Sequence, residues 1–254
     1  MGILNVTPDS FSDGGQYYDV EKAVSRAQEM AAAGADIIDV GGESTRPGAA
    51  EVTAEEEIAR IRPVVKELVD KVSVPVSVDT YKAEVAAEVL ELGADIINDV
   101  RGLRGDEELA GVVADYQVSV VIMHNARLTE RGEQDIIVSI KEFWRESIKL
   151  AEQAGINREK IILDPGIGFG ISSQTSQEII RRLSELKDMG YPLLLGTSRK
   201  SMLGDILEVP AEERVEGTVA TTVMGIRQGI DIFRVHDVRA NQQAAKVTDA
   251  IWRE

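Results

Sequence analysis

The chain of 254 residues contains no cysteine. That excludes a disulfide framework, a thiolate metal site and a cysteine nucleophile. Aromatic residues make up only 4%, so a core of useful size has to be aliphatic. Such a composition suits parallel strands buried on both faces, which read as unbroken β-branched runs. No apolar run approaches the roughly 20 residues of a membrane span, and Met1 opens no signal-peptide pattern. A soluble cytoplasmic protein with no membrane partner is expected. Positive charge is scarce as well: 28 Lys and Arg stand against 44 Asp and Glu, a net charge of −16. The summed field repels phosphates and argues against a nucleic-acid partner. A small anion remains a possible ligand, provided that the few cations facing it are gathered in one place.

What the chain does have is regular alternation. Short apolar runs, expected as strands, stand at 2–4, 36–40, 74–79, 95–98, 119–123, 161–164, 193–196 and 231–235. Between them, apolar positions at three- and four-residue steps predict helices over 20–33, 54–71, 82–92, 107–116, 135–154, 177–189, 218–228 and 240–252. Gly34, Gly93, Gly155, Gly190 and Gly229 stand where these helices must stop. The runs Gly34-Ala35-Asp36-Ile37-Ile38, Gly93-Ala94-Asp95-Ile96-Ile97 and Gly229-Ile230-Asp231-Ile232-Phe233 share one template. Eight βα units closing on themselves make an α/β fold of the TIM-barrel type, (β/α)8, as one domain over residues 1–254. An open doubly wound sheet is the alternative; the regularity and the lack of a Gly-x-Gly-x-x-Gly turn favour the barrel.

In a barrel, the C-terminal strand ends converge on one mouth. Here they carry Asn5, Asp39, Asp79, Asn98-Asp99, His124-Asn125, Asp164, Thr197-Ser198-Arg199-Lys200 and Arg234-Val235-His236-Asp237. Helix capping explains any one of them; a ring of eight rich in ionisable groups, holding both histidines, points to a site. Its chemistry sorts into two halves. Asp79, Asn98 and Asp164 suit a flat heterocycle with a donor-rich edge, while Arg46, Lys200, Arg234 and His236 suit a multiply charged anion. Arg234 and His236, two residues apart, share one face of a strand end. A Schiff-base role for Lys200 is the rival reading, ranked lower because Lys200 stands in a loop with no evident desolvation.

The separated motifs Asn5 to Gly15, Gly41-Gly42-Glu43-Ser44-Thr45-Arg46-Pro47-Gly48, Val78-Asp79-Thr80, Asn98-Asp99-Val100, Met123-His124-Asn125, Asp164-Pro165-Gly166-Ile167-Gly168-Phe169, Ser198-Arg199-Lys200-Ser201 and Arg234-Val235-His236-Asp237 span essentially the whole chain. In this order they resemble the bacterial dihydropteroate synthases, a pterin-binding family. The resemblance implies a homodimeric barrel that joins 6-hydroxymethyl-7,8-dihydropterin diphosphate to para-aminobenzoate, with Mg2+ as cofactor. It implies that Asp79, Asn98, Met123, Asp164 and Lys200 hold the pterin, and that Asn5, Thr45, Arg234 and His236 hold the diphosphate. It places Thr45, Arg46, Phe169, Lys200 and Ser201 around the aminobenzoate, and Asn5 on the metal. Asp13, on a first loop hinged at Gly14 and Gly15, is expected to face the reacting methylene, so that Asp13, Lys200, Arg234 and His236 form the catalytic set.

Two departures stand out. Ile171-Ser172-Ser173-Gln174-Thr175-Ser176-Gln177 replaces the family's usual run on the aminobenzoate side, where sulfonamides are told from substrate. Relatives also carry a stretch before the position of Met1 that covers the barrel floor, so a cost in stability rather than chemistry is expected. A corrinoid-dependent methyltransferase of the same class would share Asp79, Asn98 and Asp164 but has no use for the cations; a non-catalytic pterin-binding paralogue would not need both sets of loops. Val219, Val223 and Ile226 are read as helix-barrel core before dimer surface.

Overall fold

The computed structural model describes residues 1–6, 16–43, 51–128 and 135–252. Six strands, β1 (Gly2–Asn5), β2 (Ile38–Gly41), β3 (Val76–Asp79), β4 (Ile96–Asp99), β5 (Ser119–Met123) and β6 (Ile161–Asp164), pair in parallel in chain order. β7 (Leu194–Leu195) and β8 (Ile232–Phe233) pair with each other. Bridges between Leu163 and Leu193 and between Gly2 and Val235 join the two groups, with Leu163 N donating to Pro192 O and Ile3 N to Val235 O, both at 2.9 Å. The ring is closed: a parallel eight-stranded barrel, as expected.

Alternation along each strand sends successive side chains to opposite faces. Ile38, Val40, Val76, Val78, Ile97, Val120, Ile122 and Leu163 face outward and join the large core beneath the helices. Met1, Ile96, Val121 and Leu194, with Ile37, Ile162 and Ile232 packed on them, plug the barrel's lower end as a separate apolar cluster. Above this floor the inward positions turn polar, and that change of character positions the site.

The repeated template now has a cause. Gly34, Gly93 and Gly229 have φ of 95°, 102° and 87°, the left-handed stop that only glycine adopts cheaply. The Asp side chains after two of them cap a neighbouring strand: Asp95 Oδ2 accepts from Val76 N and Asp231 Oδ2 from Leu193 N, each at 2.9 Å. Side chains thus take over the first amides of β3 and of the run into β7. The ladders at 74–79 and 193–196 accordingly start later than the apolar runs suggest.

The helices wrap the ring as α1 (Gln16–Ala32), α2 (Ala54–Lys71), α3 (Ala83–Glu91), α4 (Leu109–Tyr116), α5 (Ile136–Ala154), α6 (Ser173–Arg181), α7 (Ser201–Leu207), α8 (Val215–Arg227) and α9 (Val238–Trp252). Thr53 and Asp135 cap α2 and α5. Two expectations fail. The helix at 177–189 is α6, started earlier by the Ser172 cap on Thr175 N (3.1 Å), followed by a 3-10 helix, Leu183–Met189. Leu183 and Leu186 are both fully buried, and a three-residue step satisfies either kind of helix. The other miss is α7, where the apolar spacing predicts no helix; buried Met202 and Leu203 hold it, with Gly204 at its centre despite the low helix propensity of glycine. Ile226 is core, as read from the sequence, and Val219 and Val223 are half-buried. No helix among the described residues is long and apolar enough to cross a membrane.

Candidate active site at the barrel mouth

The polar layer is organised by a residue that the motif reading left without a role. Asp39, fully buried on β2, accepts from Ser77 Oγ at 2.6 Å through one oxygen. Its other oxygen accepts from Asn98 Nδ2 at 3.1 Å and from Arg234 Nε at 2.6 Å. Arg234 reaches on to Asp79, with Nη2 donating to Oδ2 at 2.8 Å. Burial opposes the charge on Arg234, but Asp39 and Asp79 hold its pKa above the ordinary value. Burial also pushes Asp79 up to about 7, against the pull of Arg234 and with a further push from Asp39. The carboxylates and cations expected in opposite halves are therefore interleaved. The reason is dielectric: a barrel interior cannot hold an isolated charge, so a buried Arg and two buried Asp must be neighbours. One signal did exist, since Asp39 interrupts the apolar run Ile37-Ile38-Asp39-Val40 at inward parity.

Lys200 corrects a second expectation. It leads into α7, and the turn from Thr197 folds its side chain back over the mouth. Its Nζ donates to Ile167 O and lies 4.8 Å from the Phe169 ring centroid. Burial lowers its pKa to about 8, although Asp164 favours the charged form. Asp164 is in turn raised by burial, with Lys200 opposing the shift, and its Oδ1 accepts from Gly166 N at 2.7 Å. So Lys200 is desolvated after all. The Ile167 carbonyl and the Asp164 charge, which favour an oriented ammonium, now speak against the Schiff-base reading. Met123 is buried below, Phe169 is half-buried, and Ser201 opens α7 exposed to solvent.

A pH dependence follows. Lys200 is charged below about pH 8, and kcat/KM reports the free enzyme's ionisations. For a substrate bound against Lys200, kcat/KM is expected to fall above about pH 8 with loss of one proton. A Lys200→Arg enzyme, whose guanidinium keeps its proton, should lack that limb. An unchanged limb in the variant would exclude Lys200 as its source.

At the β8 end, Ser198 Oγ accepts from His236 N at 3.1 Å and lies 2.9 Å from His236 Nδ1. The hydroxyl has a second lone pair and a proton of its own, so either atom can be the donor in this contact, which ties the Nδ1 side of the ring to Ser198. Asn5 stands half-buried at the end of β1. Its Oδ1 and Asp79 Cβ lie 3.6 and 3.8 Å from the point where a Gly41 side chain would begin, so Gly41 keeps that corner open. Asp13, Thr45 and Arg46 lie outside the described residues.

The second histidine does not join the mouth. His124 is buried against α5, edge-on to Phe143 with centroids 5.2 Å apart, and its Nδ1 lies 3.3 Å from Pro165 O. Burial lowers its pKa to about 4, so it stays neutral. Asp99 also turns away, its carboxylate accepting from the amides of Arg101 and Leu103 at 2.7 and 2.5 Å. Among the described residues no group of three or more acidic or histidine side chains could hold a metal ion.

The family model described as pterin binding enzyme matches residues 1–236. The chain is 52% identical over 256 residues to the dihydropteroate synthase of Clostridium beijerinckii, covering 100% of this chain and 94% of the relative. A crystal structure of the Clostridium difficile dihydropteroate synthase in the presence of pteroic acid is 54% identical with a TM-score of 0.97, covering 100% of this chain and 96% of the other. The Xanthomonas albilineans dihydropteroate synthase in complex with 7,8-dihydropteroate is 40% identical with a TM-score of 0.90, covering 99% and 92%. A closed parallel barrel, a buried polar layer over an apolar floor, and this likeness along its length lead to one conclusion: the chain belongs to the pterin-binding enzyme family.

Proposed function

We infer that this chain is an enzyme of folate biosynthesis with dihydropteroate synthase activity. It condenses 6-hydroxymethyl-7,8-dihydropterin diphosphate with para-aminobenzoate to give 7,8-dihydropteroate and diphosphate. The observation that carries this reading is the buried layer in which Asp39, Asn98, Arg234 and Asp79 form one hydrogen-bonded chain beneath Lys200 and Asp164.

In the proposed site, residues 1–254 act as one barrel domain. Asp79, Asn98 and Asp164 accept from and donate to the edge of the pterin, Met123 packs beneath its ring, and Lys200 donates to it from above. Arg234 spends Nε and one Nη on Asp39 and Asp79 and has further N–H donors in its planar fork for the diphosphate. His236, with its Nδ1 side tied to Ser198, turns Nε2 to the same anion. Thr45, Arg46, Phe169 and Ser201 line the aminobenzoate side. The C–O bond at the exocyclic methylene breaks as Arg234 and His236 stabilise the charge developing on diphosphate. The neutral aryl amine forms the C–N bond and loses one proton to water or diphosphate. Asp13 faces the electron-poor methylene, and exclusion of water protects it from capture.

Mg2+ fits this chemistry through Asn5. Asp39 and Asp79 are committed to Arg234 and Asp164 to Gly166 N and the Lys200 charge, so one amide oxygen, substrate oxygens and water would make up its shell, as hard magnesium tolerates. When bound, it would add charge stabilisation on the leaving group. The reading includes a cytoplasmic homodimer; α7, α8 and α9 expose Ile206, Met224, Val247, Ile251 and Trp252, an apolar face suited to a second copy. Turnover of the two substrates with Mg2+, followed by diphosphate release, tests the function, and sedimentation of the same sample tests the dimer. Pterin binding without diphosphate release would favour a non-catalytic relative. Inhibition by a sulfonamide alongside aminobenzoate affinity tests the run 171–177.

A further inference from the structure

The turn that delivers Lys200 is held against its own backbone preference. Arg199 has a φ of 58°, a left-handed conformation that disfavours any residue with a Cβ. Its side chain is pinned by a two-point pair with Asp237, at 2.9 and 2.6 Å, and its amide donates to Thr218 Oγ1 at 3.2 Å. A further hold comes from a residue with no place in the chemistry above. Arg214 Nη1 donates to the carbonyls of Arg199 and Lys200 at 3.0 and 3.2 Å. Its Nε and Nη2 both donate to Val209 O, at 3.0 and 2.9 Å. One planar fork therefore ties the carbonyls that enter α7 to the chain that leaves it.

Gly204 makes room for that fork. A Cβ there would lie 2.2 Å from Arg214 Nη2 and 2.4 Å from Cζ. Its φ is not in the left-handed region, so an alanine would suit the backbone of α7, and the guanidinium is what opposes it. The glycine at the centre of α7 is thus the seat of Arg214.

We propose that Arg214, seated on Gly204, is a positioning residue that sets Lys200 over the pterin side of the mouth. The proposal rests on the function inferred above. An ammonium that must reach the Ile167 carbonyl, the Phe169 ring and the substrate from one backbone position has little freedom, and a shift of the 199–200 carbonyls moves it away. A lysine at 214 keeps the charge but concentrates its donors on one nitrogen and lacks the planar fork that spans the Val209, Arg199 and Lys200 carbonyls.

Calorimetric binding of 6-hydroxymethyl-7,8-dihydropterin diphosphate to the full chain is the test, in a cycle of Arg214→Lys with Lys200→Ala. Arg214→Lys is expected to weaken binding about tenfold alone and by less than about twofold when Lys200 is already alanine, the non-additivity of residues acting through one another. Gly204→Ala should weaken binding comparably, with the better helix propensity of alanine offsetting part of the stability lost with the Arg214 hydrogen bonds, and it keeps the test open if Arg214→Lys fails to fold. Equal losses in the two Lys200 backgrounds, or full affinity in Gly204→Ala, would overturn the proposal. Failure of the unaltered chain to bind would overturn the function reading, and this one with it.

Discussion

Arg234→Met is expected to remove measurable turnover and to destabilise the fold by about 3–5 kcal/mol, the cost of stripping one partner from a buried ion pair. The size of the effect comes from what the guanidinium leaves behind. Asp39 is fully buried and Asp79 nearly so, and Arg234 is the cation bonded to both. Without it, two carboxylates face each other in a low-dielectric interior. Chemical denaturation measures the stability, and diphosphate release measures the activity. Adding Asp39→Asn separates charge from packing: it should return a large part of the lost stability by removing one unpaired charge, and none of the activity. A double variant no more stable than Arg234→Met would show that lost packing, rather than charge, dominates.

Gly166→Ala is expected to cost about 2–5 kcal/mol, the sum of left-handed strain and forced overpacking, together with most of the pterin affinity. Gly166 has a φ of 72°, and a Cβ there would lie 1.8 Å from the carbonyl oxygen of His124. That obstacle is backbone at the end of β5, which cannot rotate aside. The displacement would travel directly into the site, because Gly166 N donates to Asp164 Oδ1 and the same turn carries Ile167 O, the acceptor of Lys200. Gly111→Ala on α4 is the control, since its Cβ would meet nothing within 4 Å; it should be neutral or slightly stabilising. If Gly166→Ala unfolds at the same denaturant concentration as that control, the close approach to His124 is relieved elsewhere and the argument fails.

The two expected results differ in how far they could have been anticipated. Eight apolar runs with period-3.6 segments between them led straight to the barrel, and the glycine stops fell where positive φ is found. Those features are local: they depend on side-chain spacing along a few residues, and burial of an apolar stripe has few alternatives. Asp79, Asn98, Asp164, Lys200 and Arg234 were legible for the same reason, because strand ends in a barrel share one mouth. Which of them touch was not legible. That Arg234 pairs with Asp79, 155 positions away, and with Asp39, 195 away, follows from barrel closure and from the need of buried charges for partners.

Three further points were decided in the same way. His124 follows β5 just as Asn98 ends β4, yet it packs outward on Phe143, because the strand's last inward position is Met123. Lys200 looked solvated because its neighbours in sequence are polar; the groups that desolvate it, Ile167 and Phe169, come from the β6 loop. Gly204 sits mid-helix at a cost in propensity, and an arginine ten positions on gives it a reason to be there. Spacing along the chain thus specified the elements and the residue types at the mouth. Their pairing, protonation and orientation came only with closure of the ring, since electrostatics and desolvation act through space, between residues that the chain order keeps apart.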